Sequence, residues 1–142
     1  MLRKSGVAHE DQAEALYSRL TDPTESTPYP DTEVALEDTA TTGVKVGVLN
    51  NIAFDMRPAF SMRGHHDFVD EFLLPSGRVI KPRPDAFRLL IDKLGVAPED
   101  TLMVGDSEEA DGGAKALRSE FALVAPRPTT ERPDGLLTYG VL

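Results

Sequence analysis

Apolar residues recur at helical spacing in some stretches of this chain and gather into short β-rich runs in others. Residues 9–20 place Ala13, Leu16, Tyr17 and Leu20 at i, i+3, i+4 and i+7, the stripe of an amphipathic helix. Turn and breaker residues, among them Pro23, Pro28 and Pro30, end it. A weaker helix is expected from an N-cap at Asp31 to near Gly43, with Thr39, Thr41 and Thr42 where a strong helix carries Leu or Ala. Residues 44–49 read as a strand bounded by Gly43 and Asn50-Asn51. Residues 55–62 suit a short helix interrupted early by Pro58, and residues 68–74 are apolar enough for either a helix or a strand.

The clearest element is a helix over residues 84–94. Phe87, Leu90, Ile91 and Leu94 share one face, Pro84 opens it and Gly95 stops it. Residues 101–104 form a second buried strand that runs into Gly105-Asp106-Ser107. A helix is expected from Glu108 to about Leu117, with the small residues Ala110, Gly113 and Ala114 turned inward against a sheet. Residues 121–124 form a third strand, and residues 125–142 a Pro-rich tail with a late apolar piece. Strands alternating with helices predict an α/β fold with a parallel, doubly wound sheet.

Composition narrows the partners. At 142 residues the chain has the length of a single domain. Fifteen Lys and Arg against twenty-four Asp and Glu give a net charge of −9, with a pI near 4.7. Such a surface repels phosphate backbones and anionic lipid, so neither nucleic acid nor a membrane is expected as a partner. The absence of Cys removes disulfides, thiolate metal sites and cysteine nucleophiles together. No apolar run approaches ~18 residues, and Met1-Leu2-Arg3-Lys4-Ser5 is not followed by an apolar stretch. A cytoplasmic protein is expected.

In a parallel sheet of this kind, ligands gather beyond the carboxyl ends of the strands. Three segments fall there. Asp106, Glu108, Glu109 and Asp111 present four carboxylates within six residues. Hard oxygen ligands at a strand tip suit Mg²⁺, although an acidic first turn also complements a helix dipole without any metal. Lys81, held between Ile80 and Pro82 before the 84–94 helix, can meet a bound phosphate or a neighbouring carboxylate. Asn50-Asn51 can donate to an anionic oxygen or simply make a turn. His65-His66-Asp67 reads as a surface loop, because adjacent residues rarely converge on one ion.

The order and spacing of these segments resemble the haloacid dehalogenase-like (HAD) hydrolase superfamily, in its phosphatase-like branch. The resemblance rests on residues 46–58 around Asn50-Asn51, on Lys81-Pro82-Arg83-Pro84-Asp85, and on Gly105-Asp106-Ser107 with Asp111-Gly112-Gly113-Ala114. It spans residues 29–137. It implies a Rossmann-like α/β core over residues 44–142, preceded by a helical segment over residues 1–43 that is a remnant of a cap. It also implies Mg²⁺-dependent hydrolysis of a phosphorylated small molecule. Lys81 would neutralise the phosphate and the nucleophile, Asp106 and Asp111 would be the acidic metal positions, and Asn50 and Asn51 would bind substrate. Asn50 stands where the family usually has Ser or Thr, and Arg118 where it usually has Gly.

One element of the family pattern is absent from these 142 residues. Family members carry their nucleophile in an Asp-x-Asp motif after a first, central strand, and no Asp-x-Asp occurs here. The expectation is a truncated hydrolase, inactive or weakly active alone, or else a non-catalytic binding or regulatory module. A phosphate-accepting signalling domain, with Asp106 as acceptor, is a weaker alternative. The strands at residues 44–49 and 101–104 would flank the missing strand. They would then pair directly, be bridged by residues 136–142, or take a strand from a second copy or a complementing chain.

Overall fold

The computed structural model describes residues 12, 14, 15, 18, 19, 22–25, 27–52, 54–74, 79–125 and 136. Gln12, Glu14, Ala15, Ser18 and Arg19 are helical and exposed, in keeping with the first expected helix, whose apolar stripe lies outside the described residues. A 3₁₀ turn at Pro23–Glu25 follows. Helix α1 spans Thr32–Thr41 and buries Ala35 and Thr39. Thr39 is tolerated there because its Oγ1 donates to the Ala35 carbonyl at 2.7 Å. Asp31 occupies the N-cap position without a side-chain cap bond. Its Oδ2 accepts instead from the Leu136 N–H, which ties Leu136 to the start of α1. Residues 137–142 lie outside the described residues.

Strand β1 spans only Gly47–Leu49. The expected strand is shorter because Val46 is engaged outside a ladder: its N–H donates to Asp70 Oδ2 at 2.7 Å and its carbonyl accepts from Asp70 N–H at 2.8 Å. Helix α2 spans Arg57–Met62, with Pro58 in its first turn rather than as an interruption. A 3₁₀ turn at His66–Phe68 leads into strand β2, Glu71–Leu73, which resolves the open choice at residues 68–74 in favour of strand. β2 pairs in parallel with β1, Leu73 opposite Leu49. Phe60 of α2 meets Phe72 of β2 edge-on, and His66 stacks on the same ring.

Helix α3, Pro84–Leu94, has the bounds its pattern predicts. Ala86, Phe87, Leu90, Ile91 and Leu94 are buried, and Gly95 closes the helix in the left-handed region. Lys45 Nζ donates to the Leu94 carbonyl at 2.7 Å, placing a cation at the negative end of the helix dipole. Strand β3, Leu102–Gly105, pairs in parallel with strand β4, Glu120–Leu123. Among the described residues no ladder joins β1 to β3, so direct pairing across the expected gap does not occur there. Packing joins the two strand pairs instead. α3 touches β1, β2 and the 112–117 segment. Its apolar face forms one core with Leu49, Leu73 and Ala114. None of the described helices is long and apolar enough to cross a membrane.

The expected helix over residues 108–117 is divided. A short α4, Glu108–Asp111, gives way to a 3₁₀ segment at Gly112–Leu117. Two consecutive glycines weaken an α-helix, and Asp111 at the junction is drawn inward and buried. The segment ends at Arg118, the one described non-glycine residue with positive φ, at 67°. A left-handed conformation costs an L-residue about 1–2 kcal/mol. The glycine that the family usually has at this position would therefore be the unstrained choice. Arg118→Gly is expected to stabilise the protein by about 0.5–1 kcal/mol, read as a higher midpoint in chemical denaturation. A lower midpoint would mean that the arginine side chain contributes more than its backbone costs.

Candidate functional site

The tips of β1 and β3 and the loop before α3 form the site. Asn51, just beyond β1, uses its whole side-chain amide on the backbone of Lys81. Its Nδ2 donates to the Lys81 carbonyl and its Oδ1 accepts the Lys81 N–H, both at 2.9 Å. The side chain thus acts as one more rung of a ladder, fixing the Lys81 peptide beside the end of β1. Asn50 Oδ1 accepts from Ile52 N–H at 3.0 Å in an Asx turn. That leaves Asn50 Nδ2 without a hydrogen-bond partner among the described residues.

From this fixed peptide, Lys81 extends its ammonium to Asp111 Oδ1. The side chains of Lys81 and Asp111 are 12% and 2% exposed, so the pair is largely withdrawn from water. Asp111 Oδ2 accepts from the Ser107 N–H at 3.1 Å, so both carboxylate oxygens are engaged. Ser107 in turn caps α4, its Oγ accepting from Ala110 N–H at 3.1 Å. A serine just before a helix is the sequence signal for this cap.

Two glycines make the approach possible. A Cβ on Gly105 would overlap the Asp111 carboxylate, and one on Gly113 would overlap the Pro82 carbonyl and lie 2.9 Å from the Phe87 ring. The Pro82 carbonyl, just after the cis Lys81-Pro82 bond, therefore lies directly against the 3₁₀ segment that follows Asp111. The sequence pattern marks Gly113 as an inward small residue but carries no signal for the role of Gly105.

The candidate residues divide by what they touch. Lys81 and Asp111 come together, with Asn51 holding Lys81 from behind. Asp106, at the end of β3, is exposed and has no hydrogen-bond partner among the described residues. Arg57, the next cation beyond the Asn50-Asn51 loop, is engaged by Asp55 through three side-chain hydrogen bonds. Those bonds hold the Asp55 carboxyl below its ordinary range. His65 is buried while His66 lies on Phe72, so the two histidines diverge.

Among the described residues, no three His, Asp or Glu side chains gather into a metal-binding group. Mg²⁺ needs only one or two carboxylates when waters and a substrate phosphate complete its shell. Asp106 fits such a shared ion; among the described residues there is no preformed cage, and both oxygens of Asp111, the other expected metal position, are engaged by Lys81 and Ser107.

Fold and site together define an α/β protein with a lysine–carboxylate pair at its strand tips. A family model described as haloacid dehalogenase-like hydrolase matches residues 2–117. The chain belongs to the haloacid dehalogenase-like hydrolases. It is 37% identical over 117 residues to a (S)-2-haloacid dehalogenase of Xanthobacter autotrophicus, covering 81% of this chain and 43% of that protein. It is 35% identical over 101 residues to a phosphatase of Mycobacterium tuberculosis (strain CDC 1551 / Oshkosh), covering 68% of this chain and 46% of that one. A crystal structure of a HAD phosphatase from Thermococcus onnurineus matches with a TM-score of 0.67 and 31% identity, over 82% of this chain and 55% of that chain. The chain spans less than half the length of these two curated relatives.

Two glycine substitutions separate close approach from mere helix propensity. Gly105→Ala forces the Asp111 carboxylate to move and is expected to cost about 1–3 kcal/mol or more. Gly112→Ala meets nothing nearer than 3.4 Å, at Glu108 Oε1, and its φ is −64°. It should be neutral or stabilising by up to about 1 kcal/mol. Urea denaturation of both variants checks this; equal costs would contradict the packing argument.

Proposed function

We propose that this chain forms the anion-binding side of a Mg²⁺-dependent phosphomonoester hydrolase site, and that the isolated chain binds its ligand without turning it over. The observation that carries this reading is the Lys81–Asp111 pair at the strand tips. A lysine ammonium has three donors. One is held by Asp111, and the others are available to phosphate oxygens.

Each residue has a role in this reading. Lys81 neutralises the anion. Asn50 donates from Nδ2 to a phosphate oxygen. Asp111 positions Lys81. Asp106 holds Mg²⁺, which when bound supplies positive charge shared with a phosphate oxygen. The covalent step of phosphoryl transfer needs a carboxylate nucleophile and an acid–base partner. The 142 residues contain no Asp-x-Asp to provide them.

Titration calorimetry with inorganic phosphate, with and without Mg²⁺, tests the binding. Mg²⁺ is expected to tighten phosphate by about tenfold or more. Asp106→Asn should abolish that gain, and Lys81→Met should abolish binding. Absence of phosphate binding overturns the reading. Turnover of a generic phosphomonoester with Mg²⁺, lost in Asp106→Asn, overturns the claim of inactivity.

A second reading, hydrolysis of a 2-haloacid, is supported by the 37% identity to the Xanthobacter dehalogenase. A lysine ammonium and an asparagine amide serve a carboxylate as well as a phosphate. Binding of 2-chloropropionate in preference to phosphate, unaffected by Mg²⁺, would favour it.

A further inference from the structure

Helix α2 ends in a tight reversal that builds one border of a cavity. Gly64 takes the left-handed region at φ 72°, and its N–H donates to the Ser61 carbonyl at 3.1 Å. The next N–H, of His65, donates to the Phe60 carbonyl at 2.9 Å. That paired pattern closes the helix and folds the chain at His65 back to Phe60. The Phe60 ring is itself held edge-on against Phe72, with 5.1 Å between centroids. On the other border, the Thr32 N–H donates to the Tyr29 carbonyl at 3.0 Å, fixing the turn that leads into α1. The cavity has a volume of about 250 Å³, and Tyr29, Thr32, Met56, Ala59, Phe60 and His65 are among its lining residues. None of the residues assigned to the anion site lines it.

His65 is the unusual member. It is only 6% exposed, yet its imidazole has no hydrogen-bond partner among the described residues, and neither nitrogen is sealed from solvent. Buried polar groups are ordinarily satisfied, and an imidazole carries at least one N–H donor in either protonation state. We propose that this cavity is a second ligand site, for an uncharged single-ring aromatic compound bearing one hydroxyl. The hydroxyl oxygen accepts from the His65 imidazole, and the ring lies against Phe60 and Tyr29. Size supports one ring: a cavity of about 150 Å³ holds benzene, so this one takes a ring with a substituent. Aromatic walls favour an aromatic guest through edge-to-face and offset contacts that an aliphatic ring does not make. A carboxylate loses far more hydration than a hydroxyl on leaving water. Arg63, the other base among the lining residues, is exposed and has a partner of its own.

Calorimetry with p-cresol and toluene, which differ by one hydroxyl, tests this on the whole chain. p-Cresol is expected to bind about tenfold more tightly than toluene, the effect of one hydrogen bond. His65→Phe keeps a ring of similar size and removes the N–H, so the preference should fall to about twofold or less. In the unsubstituted chain, the His65 imidazole C–H resonance should shift on adding p-cresol, a readout that does not depend on the variant folding. Excess inorganic phosphate should leave p-cresol binding unchanged. Competition between the two would place p-cresol in the anion site and overturn the proposal. It is equally overturned if neither probe binds, if p-cresol binds without moving the His65 resonance, or if its preference survives His65→Phe. Benzoate binding more tightly than p-cresol would assign the cavity to an anion and contradict it as well.

Discussion

The contact on which the rest of the site depends is the ion pair between Lys81 and Asp111. It joins two segments that no described strand ladder connects: the loop beside the β1–β2 pair and the helical turn that follows β3. Removing two charges from water is costly, and a pair returns that cost only when its remaining hydrogen-bonding capacity is met. Here the Ser107 backbone N–H meets that need for Asp111, while Asn51 fixes the Lys81 backbone and so the place from which the ammonium reaches out. The pair is thus a locating device as well as an electrostatic one. It fixes the ammonium against the turn that follows β3.

Close packing makes that pair possible. α3 lays its apolar face against β1, β2 and the 112–117 segment, and so presses the two halves together. Gly105 lets the Asp111 carboxylate lie against the end of β3, and Gly113 lets the Pro82 carbonyl and the Phe87 ring lie against the 112–117 segment. Stability and chemistry share these atoms. A change that loosens the glycine contacts moves the cation as well as the core.

Much of this was legible in the residues. The helix over residues 84–94 was readable to its ends because four apolar residues at helical spacing, an initial proline and a terminal glycine all agree. The strand at 101–104 and the acidic turn after it followed from a β-rich run ending in Gly-Asp-Ser. The Lys81–Asp111 contact was visible only in outline, as a lysine able to orient a carboxylate at the neighbouring strand tip. What stayed hidden was partnership. Asn51 looked like a substrate group, but its amide is engaged by a backbone thirty residues away, which no local pattern records. Asp31 looked like a cap, yet its side chain is taken by Leu136 from the far end of the chain. Residues 108–117 looked like one helix because composition favours it, while the inward pull on Asp111 and two glycines divide it. Local propensity set the elements; long-range hydrogen bonds decided what the polar residues do.

Lys81 and Asp111 act as one unit. A double-mutant cycle measures this directly, using urea denaturation of Lys81→Met, Asp111→Asn and the combined variant. Breaking a buried pair from one side leaves an uncompensated charge, so each single change should cost about 3–5 kcal/mol. The double variant should cost little more than the larger single one, a coupling energy of about 2 kcal/mol or more. Strictly additive costs, with coupling near zero, would contradict the account: the two residues would then be neighbours and not a unit.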